Sequence, residues 1–221
     1  MNDELESEFR LRAGAPLEVA AVDAALRELD ATCRASASAR HEDTYLDDGR
    51  RSLLRAGIGL RLRESRGRCV ITCKLRRELE GTLHVRREIE AAWSTGELPR
   101  EASELPETLR HALGAQVSGQ ALLPLLRLEV QRETRILIGD GRDVCELAID
   151  AVTASANGRT ATFHELELEV LGDAATSERL AHQLRARLPV EFACDDKPTH
   201  AAALLGLELA PQDDQPEKRE G

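Results

Sequence analysis

The stretch Phe163-His164-Glu165-Leu166-Glu167-Leu168-Glu169-Val170 alternates acid with aliphatic residues from Glu165 onward. Successive side chains of a β-strand point to opposite faces, so Glu165, Glu167 and Glu169 stand in one row, about 7 Å apart. Leu166, Leu168 and Val170 occupy the other face. Like charges at that spacing are costly unless cations sit among them. The stretch therefore predicts a strand with one apolar face and one face that meets positive charge.

Working outward, the same period recurs. Glu4-Leu5-Glu6-Ser7-Glu8-Phe9-Arg10 puts Glu4, Glu6, Glu8 and Arg10 on one face. Basic strands share the code: Arg61 and Arg63 lie opposite Leu60 and Leu62, and Thr72 and Lys74 lie opposite Ile71 and Cys73. Arg86, Glu88 and Glu90 oppose Val85 and Ile89. Leu126-Arg127-Leu128-Glu129-Val130-Gln131 and Glu146-Leu147-Ala148-Ile149-Asp150 continue the series. One such strand would be an ordinary half-buried strand with a solvated face. Seven, with dense charge of both signs, need either a wet open sheet or a closed barrel with a polar lumen and a helix-covered apolar exterior. Two amphipathic helices are predicted, one through Val19, Val22, Leu26 and Leu29 and one capped by Asp173 and running to about Leu188. Shorter candidates lie at 50–56, 103–113 and 199–205. Their aliphatic stripes need apolar surface, and the strand leucines supply it. An α+β fold follows: an antiparallel barrel with a charged interior and helices packed outside.

These segments, in this order, resemble the CYTH domain of the triphosphate tunnel metalloenzyme superfamily. The resemblance runs from about Glu4 to Leu205. Its opening Glu-x-Glu-x-Lys motif corresponds to Glu4-Leu5-Glu6-Ser7-Glu8-Phe9, with Glu8 where the family has lysine; Arg10, on the same face, can supply that charge. Thr44-Tyr45-Leu46-Asp47, Leu60-Arg61-Leu62-Arg63, Thr72-Cys73-Lys74 and Arg86-Arg87-Glu88-Ile89-Glu90 follow in order. A basic strand from Arg127 to Arg135, Asp150 at a strand end, the Glu165–Glu169 strand and Lys197 complete the match. The resemblance implies an eight-stranded antiparallel tunnel that binds a triphosphate, with Mg²⁺ or Mn²⁺ as cofactor. One metal would hold the triphosphate and a second would activate the attacking water.

A triphosphate needs fixed cations and a divalent metal to offset the charge on its oxygens. Arg61, Arg63, Lys74, Arg86, Arg127, Arg135 and Lys197 are the expected substrate-binding residues, arginine offering a planar fork and lysine a point charge. Carboxylate oxygens suit Mg²⁺ or Mn²⁺, and Glu4, Glu6, Glu165 and Glu167 are the expected metal ligands. Glu169 or Asp150 would orient the water. Glu88, Glu90, Glu129 and Glu146 are expected to pair with arginines, and Tyr45 to pack with its hydroxyl hydrogen-bonded. The reaction expected is hydrolysis of inorganic tripolyphosphate. Thiamine triphosphatase, class IV adenylate cyclase and a non-catalytic polyphosphate- or nucleotide-binding module are the alternatives.

The 221 residues suffice for one barrel domain, taken as residues 1–208, and the charged, proline-bearing segment 209–221 is expected to be a disordered tail. A net charge of −10 argues against a broad nucleic-acid surface. Only 2% of residues are aromatic, which gives little support for a stacking platform under an organic base. Five cysteines without metal-finger spacing point to thiols in a cytoplasmic protein. No signal peptide or membrane-spanning apolar run is read. The partner expected is a small triphosphate; the sequence is compatible with a homodimer and does not require one.

Overall fold

A computed structural model describes residues 2–94, 97–114 and 120–207. The expected tail therefore lies outside the described residues. Eight antiparallel strands form the wall: β1 (Asn2–Ala13), β2 (Thr32–Asp47), β3 (Gly59–Ser65), β4 (Arg68–Lys74), β6 (Leu83–Trp93), β7 (Leu123–Gly139), β8 (Arg142–Ala156) and β9 (Arg159–Val170). The order is β1-β9-β8-β7-β2-β3-β4-β6, and β6 pairs back onto β1 through Asn2↔Glu90 to Phe9↔Leu83, which closes the barrel. Two short strands, β5 (Glu78–Glu80) and β10 (Val190–Phe192), extend its rim.

Local sequence fixes the hairpins. Arg66-Gly67, Asp140-Gly141 and Asn157-Gly158 each place two consecutive residues at positive φ, the conformation whose twist matches the flanking strands. β3–β4, β7–β8 and β8–β9 are consequently tight hairpins, with one register shift in β7–β8 between Leu137 and Ile138.

The helices settle where the aliphatic faces are. α1 (Val19–Glu28) and α4 (Ala174–Arg185) cover Phe9, Leu11, Leu147, Leu166 and Leu168 on the outside of the barrel. Asp173 caps α4, its side chain accepting from the Thr176 amide, as the sequence predicts. α3 (Glu107–Leu113) and α2 (Ser52–Ala56) pack over Leu60, Leu62, Ile71 and Ile89. The fifth helix, α5 (Lys197–Leu204), stands at one end of the barrel. There Ala201, Ala202 and Leu205 meet Leu126, Leu128, Val130, Val152, Ala154 and Phe163, which share the inward parity of the charged residues farther along the same strands. One end of the lumen is thus filled with hydrocarbon, and the charged cavity occupies the rest.

Candidate active site

Every strand of the wall contributes inward side chains to one cavity of about 190 Å³. β1 supplies Glu4, Glu6, Glu8 and Arg10; β3 supplies Arg61 and Arg63; β4 supplies Lys74; β6 supplies Arg86, Glu88 and Glu90. Across the lumen stand Arg132 from β7, Glu146 from β8, and Glu167 and Glu169 from β9. Asp196 and Lys197, at the start of α5, close the floor, and Tyr45 of β2 flanks it. Nine carboxylates and seven cationic groups line the space. The surplus of negative charge leaves room for a divalent cation.

Ion pairs hold this lining in order. Lys74 Nζ lies 3.0 Å from Glu6 and 2.6 Å from Glu88. Arg86 donates to Glu6 at 2.8 Å and to Glu8 at 3.1 Å. Arg10, almost wholly buried, bonds Glu8 and lies 3.4 Å from Glu167. Lys197 contacts Asp150 at 2.9 Å and Glu165 at 3.2 Å, and also touches Glu167. Burial favours the uncharged form of Lys197, yet its three carboxylate partners outweigh that and raise its pKa. For Glu6 the balance is similar: burial pushes upward, but Lys74 and Arg86 hold it well below the usual carboxylate range.

One row is not balanced. Glu8, Glu169 and Glu146 lie directly opposite one another across β1, β9 and β8, and like charges so placed repel. Burial, then Glu6, Glu146 and Glu8, push the Glu169 carboxyl up to about 7. Burial, reinforced by Glu167 and Glu6, also raises Glu8 despite Arg10 beside it. Among the described residues no three ligating side chains converge into a ready-made cation site. A metal such as Mg²⁺ commonly takes only one or two carboxylates and fills its shell with water and phosphate oxygens, and the under-neutralised row fits that role.

Several sequence-predicted residues fall elsewhere. Arg127 pairs with Glu42 on the outer face, and Arg135 reaches Asp23 of α1 at 3.1 and 3.2 Å; neither enters the cavity. The reason is phase: along β7 it is Leu126, Leu128, Val130 and Arg132 that point inward, because α5 needs apolar partners there. Arg132 is the cation the sequence reading missed, and its only signal is that it shares the parity of those leucines. Asp150 and Glu165 share the inward parity but are fully buried beneath Lys197 and do not line the cavity. Glu165 is tied to Arg12 and Lys197, and Asp150 to Arg132 and Lys197. Glu4 sits exposed at the opening. Glu6, Glu8 and Arg10 of the first motif all line the cavity, with Arg10 as the cation on that face of β1. Of the carboxylates expected to pair with arginine, Glu88 and Glu129 do so, Glu129 on the outside. Glu146 faces the acid row instead.

A family model for the CYTH domain matches residues 5–189. The chain belongs to the CYTH domain family. It shares the triphosphate tunnel fold with solved structures across nearly its whole length. HpAC1 from Hippeastrum is 18% identical, with 93% of this chain and 99% of that one covered at a TM-score of 0.63. The bh2851 protein from Bacillus halodurans is also 18% identical, covering 90% and 98% at 0.60. A chain of the Schizosaccharomyces pombe Mediator head module superposes at 0.52 with 10% identity, covering 85% and 98%. The tunnel fold therefore does not by itself fix an activity. CYTH proteins generally use divalent metal ions, and the scaffold carries phosphohydrolase and nucleotidyl-cyclase chemistry. No described helix is long and apolar enough to cross a membrane.

Proposed function

We propose that this protein is a metal-dependent triphosphatase acting on inorganic tripolyphosphate. The reading is carried by one observation: a small cavity, blocked by α5 at one end, that combines cationic groups with an unbalanced carboxylate row at Glu8, Glu169 and Glu146. Arg61, Arg63, Lys74, Arg86, Arg10, Arg132 and Lys197 would bind the phosphate oxygens, and charge-assisted bonds from such groups are the strong ones. Glu6, Glu8, Glu167, Glu169 and Glu146 are the carboxylates available to Mg²⁺ or Mn²⁺. The metal, when bound, neutralises phosphate oxygens and lowers the pKa of a coordinated water. Glu169, with its raised pKa, is the group on the wall placed to accept a proton from the attacking water. The Tyr45 hydroxyl makes no hydrogen bond to a described residue, and burial pushes its pKa up to about 12. It therefore stays protonated and can donate to the bound anion.

The described lining holds no aromatic side chain other than Tyr45, which favours a bare phosphate chain over adenine or thiamine. HpAC1, described as showing a dominant triphosphatase activity, supports hydrolysis over cyclisation. The test is release of orthophosphate from tripolyphosphate, ATP and thiamine triphosphate with Mg²⁺ or Mn²⁺. Tripolyphosphate should be preferred, and Glu169→Gln should lower kcat by about 100-fold or more. Cyclic AMP formed from ATP would select the cyclase, and binding without release under either metal would select a non-catalytic module.

A further inference from the structure

Two buried aspartates lie inside the barrel, just beyond the lining of the cavity, in the same relation to it. Asp43 on β2 and Asp150 on β8 are 1% and 0% exposed, and neither lines the cavity. Each faces an arginine directly across a strand pair, Asp43 opposite Arg63 and Asp150 opposite Arg132. Each grips that arginine through both oxygens. Arg63 Nε and Nη2 donate to Asp43 at 2.7 Å each, and Arg132 Nε and Nη2 donate to Asp150 at 2.7 and 2.6 Å. Each also reaches a second cation that lines the cavity: Asp43 lies 3.6 Å from Arg61, and Asp150 lies 2.9 Å from Lys197.

We propose that Asp43 and Asp150 are positioning residues that fix two guanidinium planes, on the strands β3 and β7 that flank β2, with their Nη1 donors left for phosphate. A guanidinium has five N–H groups. On Arg63 the grip occupies one on Nε and one on Nη2, and three are left; Arg132 Nη2 also donates to Glu167 at 2.7 Å, which leaves the two on Nη1. Arginine's long side chain is rich in rotamer entropy, and a side chain ordered before the ligand arrives does not lose that freedom on binding. In each aspartate Oδ2 is shared between two cations, and Oδ1 accepts from the arginine Nε.

The kinetic arm of the test rests on the triphosphatase reading; a spectroscopic arm does not. Side-chain NMR of the arginine Nε–H groups, assigned by their loss in Arg63→Lys and Arg132→Lys, should show hindered rotation about Nε–Cζ in the wild type. Asp43→Asn and Asp150→Asn should release the rotation of their own partner only. With tripolyphosphate at saturating Mg²⁺, each variant should raise KM roughly 10–100-fold, the range seen when an outer-layer partner is removed. The Mg²⁺ concentration for half-maximal rate should be unchanged. Unchanged KM with released rotation would overturn the proposal, as would a shifted Mg²⁺ requirement, which would make the aspartates metal ligands. Should an asparagine variant fail to fold, Arg63→Lys and Arg132→Lys keep the charge and lose the fork; normal KM in both would equally overturn it. A wild type that shows the hindered rotation but neither binds nor cleaves tripolyphosphate would support the positioning and sink the substrate instead.

Discussion

Glu169 sits, half enclosed, among like charges that no cation beside it offsets. Its folded pKa of about 7, against an ordinary value of 4.5, means that the folded chain holds this proton more tightly than the unfolded chain does. Between those two values the carboxylate costs stability increasingly as pH rises, and above about 7 the cost is complete. Without divalent cations, Glu169→Gln should therefore be more stable than the wild type near pH 8 and equal to it near pH 4. The neutral buried His41 and His84 titrate alike in both proteins, so the comparison of thermal midpoints isolates Glu169. Because a metal must displace the proton, apparent Mg²⁺ or Mn²⁺ affinity should weaken as pH falls below about 7, and calorimetry across that range checks it. Strand parity alone made Glu167 and Glu169 legible as tunnel residues. It could not distinguish Glu165, which has the same parity, because its depth depends on Arg12, Lys197 and α5 arriving from distant parts of the chain.

β7 teaches the corresponding lesson for an element. Alternation tells which residues share a face but not which face is inside. In β3, β4, β6 and β9 the leucines point out and the charges in; over Leu126–Val130 the reverse holds, since that end of the lumen is filled by α5. The outer arginines should then be expendable. Arg127→Ala should change stability by about 0–1 kcal/mol, as an exposed ion pair does, and both Arg127→Ala and Arg135→Ala should leave kcat/KM for tripolyphosphate unaltered. Arg132→Lys, which keeps the charge but loses the fork held by Asp150, should lower kcat/KM about tenfold. Steady-state kinetics on the three variants separates the two faces. The helices themselves were legible, each close to its expected span, because their apolar periodicity and the Asp173 cap are local signals.

At the scale of the whole molecule, the barrel holds three apolar clusters outside or at one end of a charged lumen. An ordered series of alternating strands was enough to read that architecture, because a closed wall brings charged faces of both signs together to pair in one lumen while giving the helices an apolar surface. The seal made by α5 depends on Leu205, buried among Leu126, Leu128 and Ala154. Leu205→Ala should cost about 2–5 kcal/mol, read by denaturant unfolding, and should loosen the seating of Lys197. That seal also governs traffic. On the triphosphatase reading, a chamber blocked at one end by α5 cannot thread a polymer through that end, so the groups released by cleavage would back out by the route the substrate took in. A long polyphosphate could offer this protein only its terminus. Chain-length analysis during digestion should accordingly show loss from the ends, with orthophosphate appearing from the first turnover and no mid-chain scission.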